Sequence, residues 1–218
     1  MRRVFVTRTP SEGVIEQLRN EGYALAGESL LSFEPLPQPR IAADVDAVVF
    51  YSPRGAEHLS VENAALLRTA DAPVIAAMGE GTATALRKRV IDPSIVGDGR
   101  ADTLAASLRV LLRERVKHSG KPKLVFAQAR ESLRSVERSL GDEVDAISLT
   151  TYVASERIDV FVPVDSDVYW VTSPRSGRLL LHLLPRARER NVWAIGQTTR
   201  AALDALGVVA TIKPWPSS

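Results

Sequence analysis

The sequence predicts an α/β protein with two small parallel-sheet domains, and three observations support this fold class. Short apolar segments alternate with helical patterns of about ten to fifteen residues, which is typical of βαβ units. Strand–turn–helix motifs recur in the same order along the chain, which indicates an internal duplication. A proline-rich stretch at 35–40 can neither continue a helix nor donate regularly to a sheet, so it indicates a connector. Two short doubly wound sheets explain this pattern better than one large sheet.

The chain begins with a strand and a helix. Residues 4–6 are apolar, and they are followed by a helical pattern that ends near Gly22 and by an extended stretch at 30–33. A similar order occurs later, where the apolar residues 124–127 precede a second helical pattern and an extended stretch at 146–152. This pair is the weakest of the repeats.

The clearest repeat joins a buried strand to a helix through a Ser-Pro-Arg sequence. Ala47–Phe50 is followed by Ser-Pro-Arg-Gly at 52–55, and Val168–Val171 is followed by Ser-Pro-Arg-Ser-Gly at 173–177. Serine is a preferred N-cap and proline fits the first helical position, so both sequences predict the start of a helix.

Another repeat places a glycine before the next helix. Val74–Ala77 leads to Gly-Glu-Gly-Thr at 79–82, and the apolar residues 192–195 lead to Gly-Gln-Thr-Thr at 196–199. Helix starts hold anions readily, because their backbone N–H groups and the positive end of the helix dipole face outward. In parallel sheets these loops also follow the carboxyl ends of the strands, where ligands of open α/β folds bind.

Composition excludes several classes of chemistry. The 218 residues contain no cysteine, so disulfides, thiolate nucleophiles, iron–sulfur clusters and cysteine-ligated zinc are excluded. His58, His118 and His182 are far apart in the sequence, and we interpret them as structural residues rather than ligands or bases. We therefore expect no metal site.

Charge and hydropathy limit the classes of binding partner that we expect. A formal charge of +2 without a basic run is too small to indicate nucleic acid. There is no apolar run of about eighteen residues, and the chain enters directly into a strand, so we expect a cytoplasmic protein with no membrane partner. Arginine outnumbers lysine and lies at several loop-to-helix junctions, where its planar group can bind carboxylates or phosphates. An anionic small molecule is the ligand class that we expect.

Taken in order, five motifs resemble those of the uroporphyrinogen-III synthase family; they lie at 50–55, 79–83, 150–152, 171–177 and 194–199. The resemblance runs nearly end to end. It implies two α/β domains joined by a two-stranded connector, with the chain crossing over and back.

The same resemblance implies a discontinuous first domain. We expect residues 1–34 and 164–218 to form this domain and residues 41–151 to form the second. Residues 35–40 and 152–163 would then connect the two domains.

The family's reaction implies a cyclising lyase of heme biosynthesis. The enzyme would close hydroxymethylbilane, a linear tetrapyrrole polycarboxylate, with loss of water and inversion of ring D through a spiro intermediate. Unassisted closure gives the uninverted isomer, so positioning of the substrate is the main contribution expected of the protein. The resemblance implies no cofactor. We expect a monomer, with a transient contact to the preceding pathway enzyme as its one candidate protein partner.

The resemblance also assigns site residues. Tyr152 matches the family's tyrosine, and we expect it to assist the departing hydroxyl as a general acid. The alternative is that its ring packs against the connector and its hydroxyl is merely satisfied. Substrate binding is expected from the arginine after the first strand and from the four helix starts, namely Arg8, Ser52, Arg54, Gly79, Thr82, Ser173, Arg175, Ser176, Gly196, Thr198 and Thr199.

Two other functions fit parts of this pattern. A non-catalytic two-domain module that binds an anionic tetrapyrrole would use the same helix starts, and it would leave the isomer ratio of the product unchanged. A nucleotide-binding α/β enzyme ranks below it, because no glycine fingerprint follows the first strand.

Overall fold

A computed structural model describes residues 1–69, 71–115 and 120–216. The chain divides into two compact units, which we call unit 1 (residues 1–32 and 155–218) and unit 2 (residues 33–154). Among the described residues, no helix combines the length and the apolar character needed to cross a membrane.

Helices and strands alternate over much of the chain. In order they are β1 (Arg2–Val6), α1 (Glu12–Asn20), β2 (Tyr23–Gly27), β3 (Leu31–Pro35), β4 (Ala47–Phe50), α2 (Pro53–Glu57), α3 (Val61–Leu66), β5 (Val74–Ala77), α4 (Glu80–Arg87), β6 (Ile95–Val96), α5 (Ala101–Arg115), β7 (Lys123–Ala129), α6 (Ser135–Leu140), β8 (Asp145–Glu156), β9 (Val168–Val171), α7 (Pro174–Leu183), β10 (Asn191–Ala194), α8 (Gln197–Asp204) and β11 (Ala210–Ile212).

Unit 1 contains a five-stranded sheet in the order β11-β10-β9-β1-β2, and all of its strand pairs are parallel. Its central strands are apolar without interruption because both faces are covered. Val4 and Val6 pack with Leu18 of α1 on one face. Phe5 packs on the other face with residues of α7 and α8, including Leu203.

Unit 2 repeats this arrangement. Its parallel strands follow the order β8-β7-β4-β5-β6, and β3 is added beside β8. Val48 and Phe50 of β4 face a core shared with α2 and α4, whereas Val49 faces a core shared with α5 and α6. The duplicated Ser-Pro-Arg motif therefore follows the central strand of each sheet, β4 or β9, and the predicted α/β fold with parallel sheets is confirmed.

The chain passes between the units within two strands. The first passage lies in β3, after Ser32, and the return lies in β8, after Ala154. The stretch at 35–40, predicted as a connector, lies in unit 2. The stretch at 152–163, predicted as the other connector, is divided between the two units.

The extended stretch predicted at 30–33 is present as β3 (Leu31–Pro35). The sequence analysis did not predict strand β2, Tyr23–Gly27, which is the partner of β1. This strand lies at the sheet edge, and its residues alternate between half-buried and exposed. Because Ala24 and Ala26 carry only small side chains, the strand lacks the continuous apolar run by which buried parallel strands are recognised.

Candidate functional site

The two predicted helix starts of unit 2 lie side by side. Phe50 of β4 and Ala77 of β5 are partners in the parallel ladder. Ser52 and Gly79 each follow two residues later, and each is the N-cap of the next helix. Both therefore lie at the carboxyl edge of the sheet, where the sequence analysis expected ligand-binding groups.

Tyr152 is directed to the same helices by a β-bulge. Ala127 pairs with Leu149 and Gln128 pairs with Thr150, but Ala129 pairs with Tyr152, so Thr151 is an extra residue. A bulge of this kind shifts the alternation of side chains by one residue. Tyr152 consequently faces the same side of the sheet as Leu149, which packs in the core shared with α2 and α4.

The hydroxyl of Tyr152 meets the N-cap of α2. Its oxygen lies 3.0 Å from Ser52 Oγ, and either hydroxyl can be the donor. Ser52 Oγ also accepts a hydrogen bond from the backbone N–H of Gly55 at 3.3 Å. Tyr152 is only 7% exposed, and this burial raises the pKa of its phenol. The phenol therefore keeps its hydrogen at neutral pH.

Two rings enclose the Tyr152 ring. Phe33 contacts it edge-on with centroids 5.9 Å apart, and His58 contacts it at 5.6 Å with a tilt of 39°. The guanidinium of Arg54 lies 4.6 Å above the Phe33 ring, and Arg54 Nη1 donates to Glu57 Oε2 at 2.6 Å. A cation is thus fixed beside the aromatic group.

The start of α4 is built differently from its prediction. Gly79 is extended, with φ of −168°, so its backbone does not require glycine. Thr82 is only 4% exposed, and the expected hydroxyl donor is therefore turned into the protein. The first helical residue, Glu80, carries a carboxylate that pairs with Arg87 at 2.7 Å. This helix start is consequently less suited to an anion than the sequence suggested.

In unit 1 the start of α7 is closed by a capping box. Ser173 Oγ accepts from the N–H of Ser176 at 3.1 Å, and Ser176 Oγ accepts from the N–H of Ser173 at 3.1 Å. Ser176 Oγ also lies 3.1 Å from Thr7 Oγ1, and Ser176 is 1% exposed. Its hydroxyl therefore holds the helix start together, although the sequence analysis assigned it to the substrate.

The start of α8 is more open. A Cβ on Gly196 would meet no atom within 4 Å. Thr198 is exposed, whereas Thr199 is buried. The first turn of α8 contains no acidic residue, in contrast to α4. Among the four predicted helix starts, α8 therefore offers the best combination of accessible backbone and positive helix dipole.

Two arginines of unit 1 are held by neighbouring groups. The guanidinium carbon of Arg8 lies 4.5 Å from the centre of the Trp215 ring. Arg175 Nε lies 3.3 Å from Glu156 Oε1. Both follow the carboxyl ends of central strands, β1 and β9, as predicted.

Sequence reasoning missed three rings that contact predicted site residues. Phe33 and His58 contact Tyr152 in unit 2, and Trp215 contacts Arg8 in unit 1. None belongs to a repeated motif, and their contacts link segments distant in sequence, so no local pattern marks them. His118 lies outside the described residues. Within the described part of the chain, no group of three histidine, cysteine, aspartate or glutamate side chains could hold a metal ion.

Comparisons with known proteins give a consistent result. The family model described as uroporphyrinogen-III synthase HemD matches residues 13–215. The uroporphyrinogen-III synthetase of Helicobacter pylori superposes with a TM-score of 0.67 at 16% identity, covering 100% of this chain and 94% of that chain. A mutant uroporphyrinogen III synthase of Thermus thermophilus gives 0.64 at 17% identity, with 98% and 92% covered. No curated protein sequence matches this chain significantly. At these identities, the solved structures support the fold.

Proposed function

This chain belongs to the uroporphyrinogen-III synthase family, and we propose that Tyr152 and Ser52 form the centre of its reaction. The protein is a cyclising lyase of tetrapyrrole biosynthesis that acts on a small-molecule substrate. The observation that carries the proposal is the 3.0 Å separation of the two hydroxyl oxygens.

The reaction breaks one carbon–oxygen bond and rearranges carbon–carbon bonds. The terminal hydroxyl of hydroxymethylbilane takes up a proton and leaves ring A as water. The substituted carbon of ring D then attacks the resulting methylene carbon to form a spiro intermediate, which fragments and recloses with ring D inverted. The protein must assist the leaving hydroxyl. It must also hold the linear tetrapyrrole so that closure with inversion of ring D occurs before the unassisted closure without inversion.

Tyr152 is suited to assist the leaving group. Ser52 Oγ accepts from Gly55 and retains its own hydrogen, which it can donate to the Tyr152 oxygen. The Tyr152 hydrogen is then free to point at the substrate hydroxyl. Because burial raises the pKa of the phenol, it acts mainly as a hydrogen-bond donor that polarises the carbon–oxygen bond. General acid assistance of this type contributes roughly 100- to 10,000-fold in rate.

Carboxylate binding is assigned to the accessible cations and helix starts. In unit 2 this is Arg54, which Glu57 and Phe33 hold in place. In unit 1 the groups are Arg8, Arg175 and the α8 start with Gly196 and Thr198. We assign supporting roles to three buried side chains that the sequence analysis gave to the substrate, because they are turned into the protein, namely Thr82, Ser176 and Thr199. Ser173 and Gly79 remain as helix caps beside these groups.

The test supplies freshly made hydroxymethylbilane to the purified protein, to Tyr152→Phe and to Tyr169→Phe. The ratio of type I to type III uroporphyrinogen is measured after oxidation. Tyr169 is a matched control, since its buried hydroxyl donates to the carbonyl of Pro163 at 2.6 Å in unit 1. We expect type III from the wild type and from Tyr169→Phe, and a kcat about 100-fold lower for Tyr152→Phe.

Two outcomes would contradict the proposal. Wild-type turnover by Tyr152→Phe would remove Tyr152 from the reaction. A wild-type isomer ratio equal to that of the protein-free control would reject catalysis and favour the binding-module alternative.

The proposal extends to the cellular setting. Free bilane closes unassisted to the wrong isomer, so the protein benefits from receiving it directly. We therefore propose that the protein transiently contacts the enzyme releasing the bilane. We also propose that it is a cytoplasmic monomer. A higher type III fraction when both enzymes are mixed than when bilane is added later would support this contact, and equal fractions would contradict it.

A further inference from the structure

His58 is held firmly at the end of α2. Its backbone N–H donates to the carbonyl of Arg54 at 3.0 Å, and its own carbonyl accepts from Gln38 Nε2 at 2.6 Å. Its ring centroid lies 5.6 Å from that of Tyr152. Because the backbone is fixed from both sides, the position of the imidazole against the phenol ring is determined by the fold.

One nitrogen of this imidazole is unusual. His58 Nε2 is buried and has no hydrogen-bond partner among the described residues. Buried polar atoms without partners are rare and unfavourable, and those that occur in native structures call for an explanation. A phenylalanine at this position would avoid the unpaired atom while still filling the space, so packing alone does not explain a histidine.

The surroundings of His58 oppose a charge on the ring. The groups that act on its ring are Arg54 and Glu57 on α2, Arg89 after α4, and the neutral Tyr152 on β8. Burial, followed by the positive charge of Arg54, lowers the pKa of His58 below its ordinary value of 6.5, and the single carboxylate of Glu57 opposes this only in part. At neutral pH the ring is therefore uncharged and can remain against the phenol.

We propose that His58 is a positioning residue for Tyr152 and that cyclisation requires the uncharged imidazole in contact with the phenol ring. This inference rests on the role proposed above for Tyr152. The hydrogen bond to Ser52 holds the Tyr152 hydroxyl, whereas the contacts from His58 and Phe33 hold the ring itself.

Acid weakens this arrangement. When pH falls through the pKa of His58, the ring becomes a buried cation beside Arg54 and Arg89, and we expect repulsion from these two charges to displace it from its contact with the phenol. A displacement of about 1 Å in a catalytic group can cost up to about 100-fold in rate. The inference thus predicts an acidic limb in kcat that belongs to His58.

The kinetic test compares His58→Ala and His58→Phe with the same two substitutions at His182, which is exposed at the end of α7. We expect His58→Ala to lower kcat about tenfold or more with KM within about twofold. We expect His58→Phe to restore kcat and to lose the acidic limb. The His182 variants should behave like the wild type.

Clear results would overturn the inference. A wild-type kcat in His58→Ala would show that the contact is not needed. An unchanged acidic limb in His58→Phe would show that another group titrates. If His58→Ala unfolds, the profile of the space-filling His58→Phe variant still decides the question.

A second measurement separates this inference from the proposed function. The ring carbons of tyrosine are labelled with ¹³C, and the Tyr152 resonance is identified by its loss in Tyr152→Phe. We expect this resonance to follow the titration of His58 in the wild type and to lose that response in His58→Phe. A Tyr152 resonance whose chemical shift does not change with pH would overturn the positioning contact, even if Tyr152→Phe is inactive. A responsive resonance together with a fully active Tyr152→Phe supports the contact and rejects the catalytic role of Tyr152.

Discussion

The hydroxyl oxygens of Ser52 and Tyr152 lie 3.0 Å apart, although 100 residues separate them in the chain. Ser52 follows β4 and Tyr152 belongs to β8, and the sheet places β7 between these strands. The bulge opposite Ala129 turns the phenol toward the helix that Ser52 caps. Chemistry at this position therefore depends on the pairing of three strands.

A double-mutant cycle tests whether these hydroxyls act as one unit. We expect Ser52→Ala and Tyr152→Phe each to lower kcat, and the double variant to be little worse than Tyr152→Phe, because the serine acts through the phenol. Ser60→Ala is the matched control, since Ser60 caps α3 through the N–H of Asn63 at 3.2 Å. Losing either cap should cost about 1 kcal/mol of unfolding free energy, but only Ser52→Ala should lower kcat. If the fold decreases in kcat of the two single variants simply multiply in the double variant, Ser52 does not act through Tyr152.

The hydroxyl of Thr151 is expected to hold the bulge. It is fully buried and donates to the carbonyl of Gln128 at 3.3 Å. Thr151→Val keeps the shape and removes this hydrogen bond, so the free energy of unfolding should fall by about 1 kcal/mol. Because the bulge aims Tyr152, kcat should fall more than KM rises. Denaturant unfolding and steady-state kinetics measure both quantities.

Thr69→Val provides the comparison for this variant. Thr69 Oγ1 donates to the carbonyl of Leu66 at 2.9 Å on the surface of unit 2. It should leave kcat unchanged. If Thr151→Val also leaves kcat unchanged at saturating substrate, the bulge does not need this hydrogen bond to place the phenol.

Arg54 should contribute to substrate affinity through its charge. Removing a charge-assisted hydrogen bond to a carboxylate costs roughly 1.5–3 kcal/mol, which corresponds to at least about a tenfold rise in KM. We expect this rise in Arg54→Gln, together with a weaker dependence of KM on salt concentration. Arg109→Gln, which removes the exposed ion pair with Glu143, serves as the control. Equal KM values in the two variants would show that Arg54 does not contact the substrate.

Glu137 should destabilise the fold at higher pH. Its Oε2 atom is buried without a hydrogen-bond partner in the described part of the chain, and Arg134 Nε lies 3.8 Å from it. Burial outweighs this positive charge and raises the pKa of the Glu137 carboxyl above its ordinary value. The folded state then binds a proton more tightly than the unfolded state, so stability falls as pH rises from the unfolded pKa through the folded pKa. We expect Glu137→Gln to raise the melting temperature at pH 8 and to leave it nearly unchanged at pH 4.

Glu143 is expected to show the opposite pH dependence of stability, and it therefore serves as the comparison. A hydrogen bond from Arg109 lowers the pKa of the Glu143 carboxyl, so its contribution is present above the unfolded pKa and is lost as pH falls. Glu143→Gln should not raise the melting temperature at pH 8. A lower melting temperature of Glu137→Gln at pH 8 would refute the expected sign for Glu137.

The sequence was sufficient for those features that depend on local patterns. Continuous apolar runs such as Val168–Val171 predicted buried parallel strands, and the Ser-Pro-Arg turns predicted the starts of α2 and α7. The order of the repeated motifs was enough to indicate the family. The edge strand β2 escaped because its small alanines carry little hydrophobic signal.

Only the tertiary structure decided which predicted groups face outward. Thr82 and Ser176 occupy helix starts that the sequence marked correctly, yet both side chains point into the protein. The sequence marked the position of Tyr152 but could not show that an extra residue in β8 reverses its direction. It also left the contact with His58 unrecognised. Local propensity determines where helices and strands begin, whereas the direction of a side chain depends on register and on packing between distant segments.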